Sequence, residues 1–359
     1  MRVAVLGGGH GAYAAAADLA EQGHAVRLWR RDAPSLAPLL EQGGIALKDH
    51  RGRRLIGIEK ASGAIGEVVE GAELILLPIP AFAQIDIARA LAPHLEDGQV
   101  LFLPPGSFGA YAMAAELHQA GCQAAVLFAE TGTLPYLARK HGPAEIAITT
   151  RATRLPTGVF PARAAPRALA VIAKAYPAVE PAGDALSGAL MNAGPIIHPP
   201  LIVMNAGPLE HFERWDIHNE GTQPSIRRVT DALDAERIAV RVALGYAAPH
   251  FPLSDHYTSD RWMYGNVHDK LVESGDWREH IDLTTHRYMV EDVAYGLAFL
   301  VSVADWARVK APVASGLLAI ASAVTGRDFR QGPRTLEALG LAKLDREALR
   351  RRLDQGLAG

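Results

Sequence analysis

A single cysteine, Cys122, stands in the 359 residues. One thiol excludes an intrachain disulfide and any zinc site built from several thiolates, and it fits a reducing compartment. An excess of charge of either sign is also lacking: 36 Lys and Arg against 39 Asp and Glu leave a net charge of -3, so nucleic acid is not an expected partner. Long hydrophobic runs are missing too. The longest apolar stretch near the C-terminus, VAYGLAFLVSVADWA, is broken by Asp305 before it reaches spanning length, which argues against a membrane partner. The first strand starts at Arg2 and leaves no room for a signal peptide, so a cytoplasmic location is expected. The chain carries His250, His256, His280 and His286, but no H-E-x-x-H or other spacing that sets two ligands on one helical face, so no metal site is expected. Internal repeats and low-complexity tracts are absent as well.

What is present is the composition of a globular enzyme, 49% apolar and 21% charged, in a chain long enough for two cores. The first half alternates apolar runs with helical ones. Strands are expected at VAVLG, AVRLW, LILLPI, VLFLPP and AAVLFAE, with further short ones at EIAITT and near VFPA, and helices at AYAAAADLAEQ, FAQIDIARALAPHL and APRALAVIAKAY. This alternation is that of a parallel sheet covered by helices. From about Gly183 long helical patterns dominate, as in RVTDALDAERIAVRVALGY and VEDVAYGLAFLVSVADWARV, and strand-like alternation does not recur. The reading is therefore α/β: a nucleotide-binding domain over residues 1–182 and an all-helical substrate domain over 183–359. The tail LDREALRRRLDQG reads as a solvated helix, with Glu347 and Arg351 spaced for an i,i+4 pair.

Gly7, Gly9 and Ala12 give G-x-G-x-x-A between the first strand and the first helix, the fingerprint of a doubly wound Rossmann sheet. Gly7 permits the tight turn, Gly9 lets backbone approach a pyrophosphate, and Ala12 keeps helix and sheet close; Gly11 is counted with them as a cofactor contact. An acidic residue about 20 positions on usually holds the adenosine ribose. Here the second strand ends in LWRRD, with Arg30 and Arg31 in that place. A guanidinium grips a 2′-phosphate in bidentate fashion, so the arginines argue for NADP(H), with NAD(H) as the lesser alternative. The other reading has both arginines solvated and Asp32 on the ribose after a small register shift. Pro80, at the end of LILLPI, and the loop PPGSFG, with Gly106 for close approach and Ser107 for its hydroxyl, complete the expected cofactor contacts. The turn after AAVLFAE lies at the carboxyl edge of the sheet, where ligands gather, which places Glu130 and Thr131 as substrate contacts. Glu130 would hold a cationic amino group, and Arg139 either pairs with a substrate carboxylate or is an ordinary loop arginine.

In the helical half, MNAGPIIHPPLIVMNAGPLE sets His198 between two asparagines and before two prolines. Alone, a histidine in so apolar a segment reads as a core residue with one backbone partner. Downstream, THRYMVEDVAYGL places Arg287 and Asp292 five apart, and a carboxylate on the far ring nitrogen of a histidine would fix its tautomer. The aromatics of DRWMYGNVHD and GDWREH fit either a pocket wall or packing.

With these segments in hand, the sequence resembles the octopine/nopaline (opine) dehydrogenases, including the bacterial N-(1-carboxyethyl)norvaline type. The resemblance runs over nearly the whole chain: VLGGGHGA, PPGSFGA, ETGTLPYLAR, NAGPIIHP, EGTQPS, LDAERIA, RYMVEDVAYGL and DFRQGPRTLEALGL, in that order. It implies reductive condensation, in which an amino acid or amine and a 2-oxo acid form an imine that a nicotinamide hydride reduces to a secondary amine. It also implies that His198 is the general acid/base, that Asp292 orients it, and that Arg287 reaches the cofactor pyrophosphate and helps the domains close. The partners implied are small molecules, with a homodimer left open. Two other readings keep the fold: a 2-oxo or hydroxy acid reductase of the ketopantoate reductase or glycerol-3-phosphate dehydrogenase type, and a catalytically inactive nucleotide sensor. The former rely on a lysine, and neither NAGPIIHP nor EGTQPS contains one.

Overall fold

The structure is a computed structural model that describes residues 1–255 and 281–357. It divides into two compact units, Met1–Ala189 with Arg351–Gly359, and Leu190–Arg350.

In the first unit the strands are β1 (Arg2–Leu6), β2 (Ala25–Trp29), β3 (Ile45–Asp49), β4 (Gly52–Ile56), β5 (Lys60–Ser62), β6 (Leu74–Leu76), β7 (Val100–Leu103), β8 (Leu127–Thr131), β9 (Tyr136–Gly142), β10 (Glu145–Arg151), β11 (Leu155–Phe160) and β12 (Val179–Asp184). Eight of them form a sheet ordered β12-β11-β8-β7-β6-β1-β2-β5. From β8 to β5 every neighbouring pair is parallel. The chain therefore runs outward from β1 in both directions, the doubly wound order in which ligands gather where the strand order reverses. That reversal lies between β1 and β6, and β11 joins β8 antiparallel at the far side. The inner strands are continuous apolar runs because both faces of the sheet are covered.

The helices of this unit are α1 (His10–Glu21), α2 (Ala37–Gln42), α3 (Ile65–Val69), α4 (Gln84–Leu91), α5 (Gly109–Gln119), α6 (Ala165–Ala173) and α7 (Ala185–Ala189). A second sheet, ordered β4-β3-β10-β9, has no counterpart in the sequence reading beyond EIAITT. It packs on α1 from the side away from the main sheet. The alanine run of α1 follows from this: a helix gripped by two sheets is buried over Gly11–Leu19, and small side chains let both sheets approach. Asp18 of α1 ties the second sheet down, accepting from Arg151 Nε at 2.6 Å and from the Tyr136 hydroxyl at 3.1 Å.

The expected boundary at 182/183 cuts into β12, and the first unit continues through α7. The reason is packing: α7 is buried from end to end, and Gly188 sits so close to the Glu130 and Gly158 backbones that a Cβ there would lie 2.8 Å from the Glu130 carbonyl.

The second unit contains α8 (Gly194–Met204), α9 (Ala206–His211), α10 (Pro224–Ala243), a π-helix over Tyr288–Leu297 that runs into α11 (Ala298–Ala307), and α12 (Pro312–Thr325); α13 (Arg346–Gln355) leads the chain back to the first unit. Among its described residues it has no strand. His256, His280, DRWMYGNVHD and GDWREH lie outside the described residues. No helix of the described residues is long and apolar enough to cross a membrane.

Candidate active site

The glycine-rich turn sits at the strand-order reversal. Gly7 has φ +138°, and a Cβ on it would press on Ile79, Ala12 and the Pro78 carbonyl, so the turn after β1 is wedged against the turn after β6. Gly11 packs likewise against Leu134 and Pro78. Gly9 is different: a Cβ there would meet nothing within 4 Å, and Gly9 caps α1 with no side chain to occupy its first amides. Open space in front of an uncapped helix N-terminus is what a phosphate requires.

Arg30 lies across this turn. A Cβ on Gly8 would be 2.6 Å from Arg30 Nε, and Arg30 Nη1 donates to the Tyr13 hydroxyl and the Ser35 carbonyl, each at 3.2 Å. The structure brings only one of the two expected arginines to the turn. Arg31 is exposed, and so is Asp32, which accepts from the Ser35 hydroxyl. Pro80 is exposed beyond the Pro78 wedge. Lys140, from β9, was missed in the sequence. Its ammonium lies 3.6 Å from the centroid of the Tyr13 ring and donates to the Gly8 carbonyl at 3.4 Å. An uncapped helix start and open space at Gly9 fit a nucleotide diphosphate, which Gly7, Gly9, Gly11 and Ala12 would hold, with the cations of Arg30 and Lys140 beside it at Gly8.

Three expected contacts have other work. Glu130 is fully buried, and its two carboxylate oxygens accept from the Phe108 amide at 3.1 Å and the Ala110 amide at 2.9 Å. It satisfies the N-terminus of α5, where Ser107 and Phe108 hold left-handed backbone at φ +54° and +60°. Gly106 is crowded by Glu130: a Cβ there would lie 2.3 Å from the Glu130 Cβ. Thr131 is buried with its hydroxyl donating to the Pro156 carbonyl at 2.8 Å. Ser107 is nearly buried in the same turn. Arg139 lies on β9 opposite Ala147, not in a loop.

In the second unit, α8 carries His198 and the π-helix carries Asp292. His198 Nδ1 is 2.8 Å from Asp292 Oδ2. The carboxylate accepts the Nδ1 proton, which leaves the Nε2 lone pair for exchange with a reactant, and Nε2 has no partner among the described residues. The His198 side chain is 18% exposed against 6% for Asp292, so one ring edge reaches outward while the anchor is enclosed. Tyr288, also missed, stacks on the imidazole at 3.7 Å between centroids and 9° between planes, and its hydroxyl is 3.0 Å from His218 Nε2. The ring of His198 is thus held in its plane by a stack and in its rotation by a carboxylate. Tyr288 and Asp292, four residues apart on the π-helix, both reach His198.

Close approach of the two segments explains their glycines. A Cβ on Gly194 would be 2.3 Å from Asp292 Oδ1, and one on Gly296 would be 2.1 Å from Pro195 Cγ. The rigid Pro195 ring cannot swing aside, so Gly296→Ala is expected to destabilise the protein by about 1–3 kcal/mol through overpacking. Thermal unfolding measures it; an unchanged midpoint would mean that α8 has slack. Arg287 is half exposed, with Nε 3.6 Å from Glu291 Oε2, an i,i+4 pair on the rim of the π-helix. Of the two flanking asparagines, Asn192 accepts from the Gly194 amide, and Asn205 donates to the Leu201 and Gly221 carbonyls and accepts from the Trp215 indole.

A doubly wound sheet with an uncapped glycine-rich turn, followed by a helical unit that holds a carboxylate-anchored histidine, defines a nicotinamide-dinucleotide oxidoreductase. Residues 181–325 match the family described as NAD/NADP octopine/nopaline dehydrogenase, alpha-helical domain. Over 353 residues the chain is 29% identical to the opine dehydrogenase of Arthrobacter sp. (strain 1C), covering 97% of each. Among solved structures it is similar to octopine dehydrogenase in complex with NADH and agmatine, with a TM-score of 0.71 at 17% identity over 99% of this chain and 98% of that one. It is also similar to NADP+-bound yersinopine dehydrogenase, with a TM-score of 0.64 at 15% identity over 99% and 98%. Residues 181–325 thus match the helical domain of the octopine/nopaline dehydrogenases, and the chain over nearly its whole length is similar to an opine dehydrogenase.

Proposed function

We propose that this chain is an opine dehydrogenase that joins the amine of an amino acid, or a simple amine, to the carbonyl carbon of a 2-oxo acid and reduces the product to an N-(carboxyalkyl)amino acid, and that it runs the reverse oxidation. The observation that carries the chemistry is the His198–Asp292 pair at 2.8 Å. Addition of the amine to the carbonyl, loss of water and reduction of the resulting C=N bond require a proton to be delivered to oxygen and moved on and off nitrogen. An imidazole with one nitrogen anchored and the other open to a reactant suits each of these transfers. Asp292 keeps the Nδ1 tautomer and stabilises the imidazolium formed when Nε2 takes a proton. When bound, the nicotinamide supplies the hydride.

The cofactor is NADP(H) in preference to NAD(H), on the strength of Arg30 at the turn. The compartment is the cytoplasm, which suits a chain whose one cysteine is free. Arg287, Arg139 and Ser107 remain part of this reading as contacts to cofactor or substrate. Amino acids and agmatine, each tested against pyruvate, glyoxylate and 2-oxoglutarate, are expected to give NADPH oxidation that requires both reactants. Oxidation with the 2-oxo acid alone would make the enzyme a simple 2-oxo acid reductase, and none with any pair would make it a nucleotide-binding protein without turnover.

A further inference from the structure

Two cations meet over the glycine-rich turn without a counter-ion. Arg30 reaches it from the end of β2 and Lys140 from β9. Their contacts are the Tyr13 hydroxyl and ring, the Gly8 and Ser35 carbonyls, and each other's field; no carboxylate of the described residues pairs with either. Both converge on Gly8, one residue before the helix cap at Gly9 and on the side where β2 ends. The cap is the place for the pyrophosphate, and the end of β2 is the place where the adenosine ribose is read.

We propose that Lys140 is a specificity-determining residue that closes with Arg30 on the 2′-phosphate of the adenosine ribose, making a two-cation clamp across the Tyr13 ring. This rests on the reading of the cofactor as NADP(H). The clamp is built from parts far apart in sequence, and the second sheet exists in part to deliver it: β9 runs along α1, its Lys140 amide donates to His10 Nδ1 at 2.9 Å, and that bond fixes where the lysine stem leaves the strand. Tyr13, fully buried, is the floor on which the ammonium rests, an arrangement that holds a cation in place while leaving its outer face for an anion.

The electrostatics agree with this geometry. Burial, and then the Arg30 charge, hold the Lys140 ammonium down to about 8. The groups that face it are Arg30 from β2, Tyr13 and His10 from α1 and the Gly8 carbonyl; its neighbours on β9 are Arg139 and His141. None of these carries a negative charge, so an arriving phosphate dianion restores the ammonium. Affinity that depends on Lys140 is therefore present below pH 8 and is lost as the pH rises through it.

The test uses the full chain and the probes 2′,5′-ADP and 5′-ADP, with binding measured by calorimetry. The wild type is expected to prefer 2′,5′-ADP, and Lys140→Met to lower affinity for 2′,5′-ADP by about ten-fold or more while leaving 5′-ADP within two-fold. Lys140→Arg, which keeps the charge, is expected to keep the preference and so separates lost charge from disturbed packing on Tyr13. In the wild type the preference should shrink above pH 8, whereas in Lys140→Arg it should stay level. A loss for 5′-ADP, the probe that carries a diphosphate, as large as or larger than that for 2′,5′-ADP would place Lys140 on the 5′-phosphates, and no loss for either would make it a packing residue; each overturns the proposal. A wild type with no preference for 2′,5′-ADP would overturn the NADP(H) reading itself, before any variant is compared.

Discussion

Replacing His198 with alanine is expected to lower turnover by about 10²–10⁴-fold while leaving cofactor affinity near that of the wild type. The contacts described for the imidazole, with Asp292 and Tyr288, lie within the second unit, so its loss is expected to remove proton transfer and not nucleotide binding. Asp292→Asn should lose activity by a related route, since the amide can present its NH2 to Nδ1 and reverse the tautomer, and it provides no counter-charge. Because the two residues act as one unit, the double variant should be little worse than His198→Ala alone. Steady-state kinetics with a responsive amine and 2-oxo acid pair decide the matter. Undiminished turnover in His198→Ala would remove it from the chemistry, and a fully active Asp292→Asn would leave the carboxylate with a purely structural part beside Gly194.

Arg30→Asp is expected to reverse the cofactor preference. The guanidinium lies over Gly8 at the end of β2, and its removal costs NADPH a charged contact worth on the order of 1.5–3 kcal/mol, or roughly ten-fold or more in affinity. The new carboxylate adds to this by repelling the 2′-phosphate and by accepting from the free ribose hydroxyl of NADH. Lys140 would then face that carboxylate, so the charge balance of the turn also moves toward the dephosphorylated cofactor. The ratio of kcat/KM for NADPH and NADH, in wild type and variant, reads the change. A wild type that already favours NADH would show that the ribose is held by Asp32 or by backbone, and that Arg30 serves the turn through Tyr13 and Ser35.

How far these sites could be read from sequence depends on whether their causes are local. The inner strands β1, β6 and β7 are apolar runs between turn residues, β2 is interrupted only by Arg27 and β8 is apolar up to Glu130, and the Gly7–Ala12 motif ties the first of them to α1; both signals lie within a few residues of one another. His198 and Asp292 are 94 positions apart and were legible only because each sits in a distinctive motif. The second sheet was not legible. β4 is GRRLI and β9 ends in ARKHG, polar stretches whose pairing is decided by the alanine face of α1, so ETGTLPYLAR read as a turn followed by a loop. Lys140 was hidden for the same reason, since its place at Gly8 exists only once β9 lies along α1. Glu130 carries a structural duty that its sequence position does not show. An acidic residue at the carboxyl edge of a parallel sheet reads as a ligand contact, and only the left-handed backbone at Ser107 and Phe108 reveals amides in need of a buried acceptor. The π-helix has no sequence signature in RYMVEDVAYGL, because nothing in residue type distinguishes an i→i+5 ladder from the ordinary one.

The return of the chain to the first unit at Arg351 bears on how the protein is made. Leu353 is buried, and Gly356 lies against Pro161, so the residues after Arg350 pack with the first unit. A chain that folds as it leaves the ribosome ordinarily finishes its N-terminal unit first. Here the helical unit ends at Arg350 and is fully synthesised while the first unit still lacks its last piece, so the order of completion is inverted: the proton-transfer half can be finished before the nucleotide-binding half is sealed.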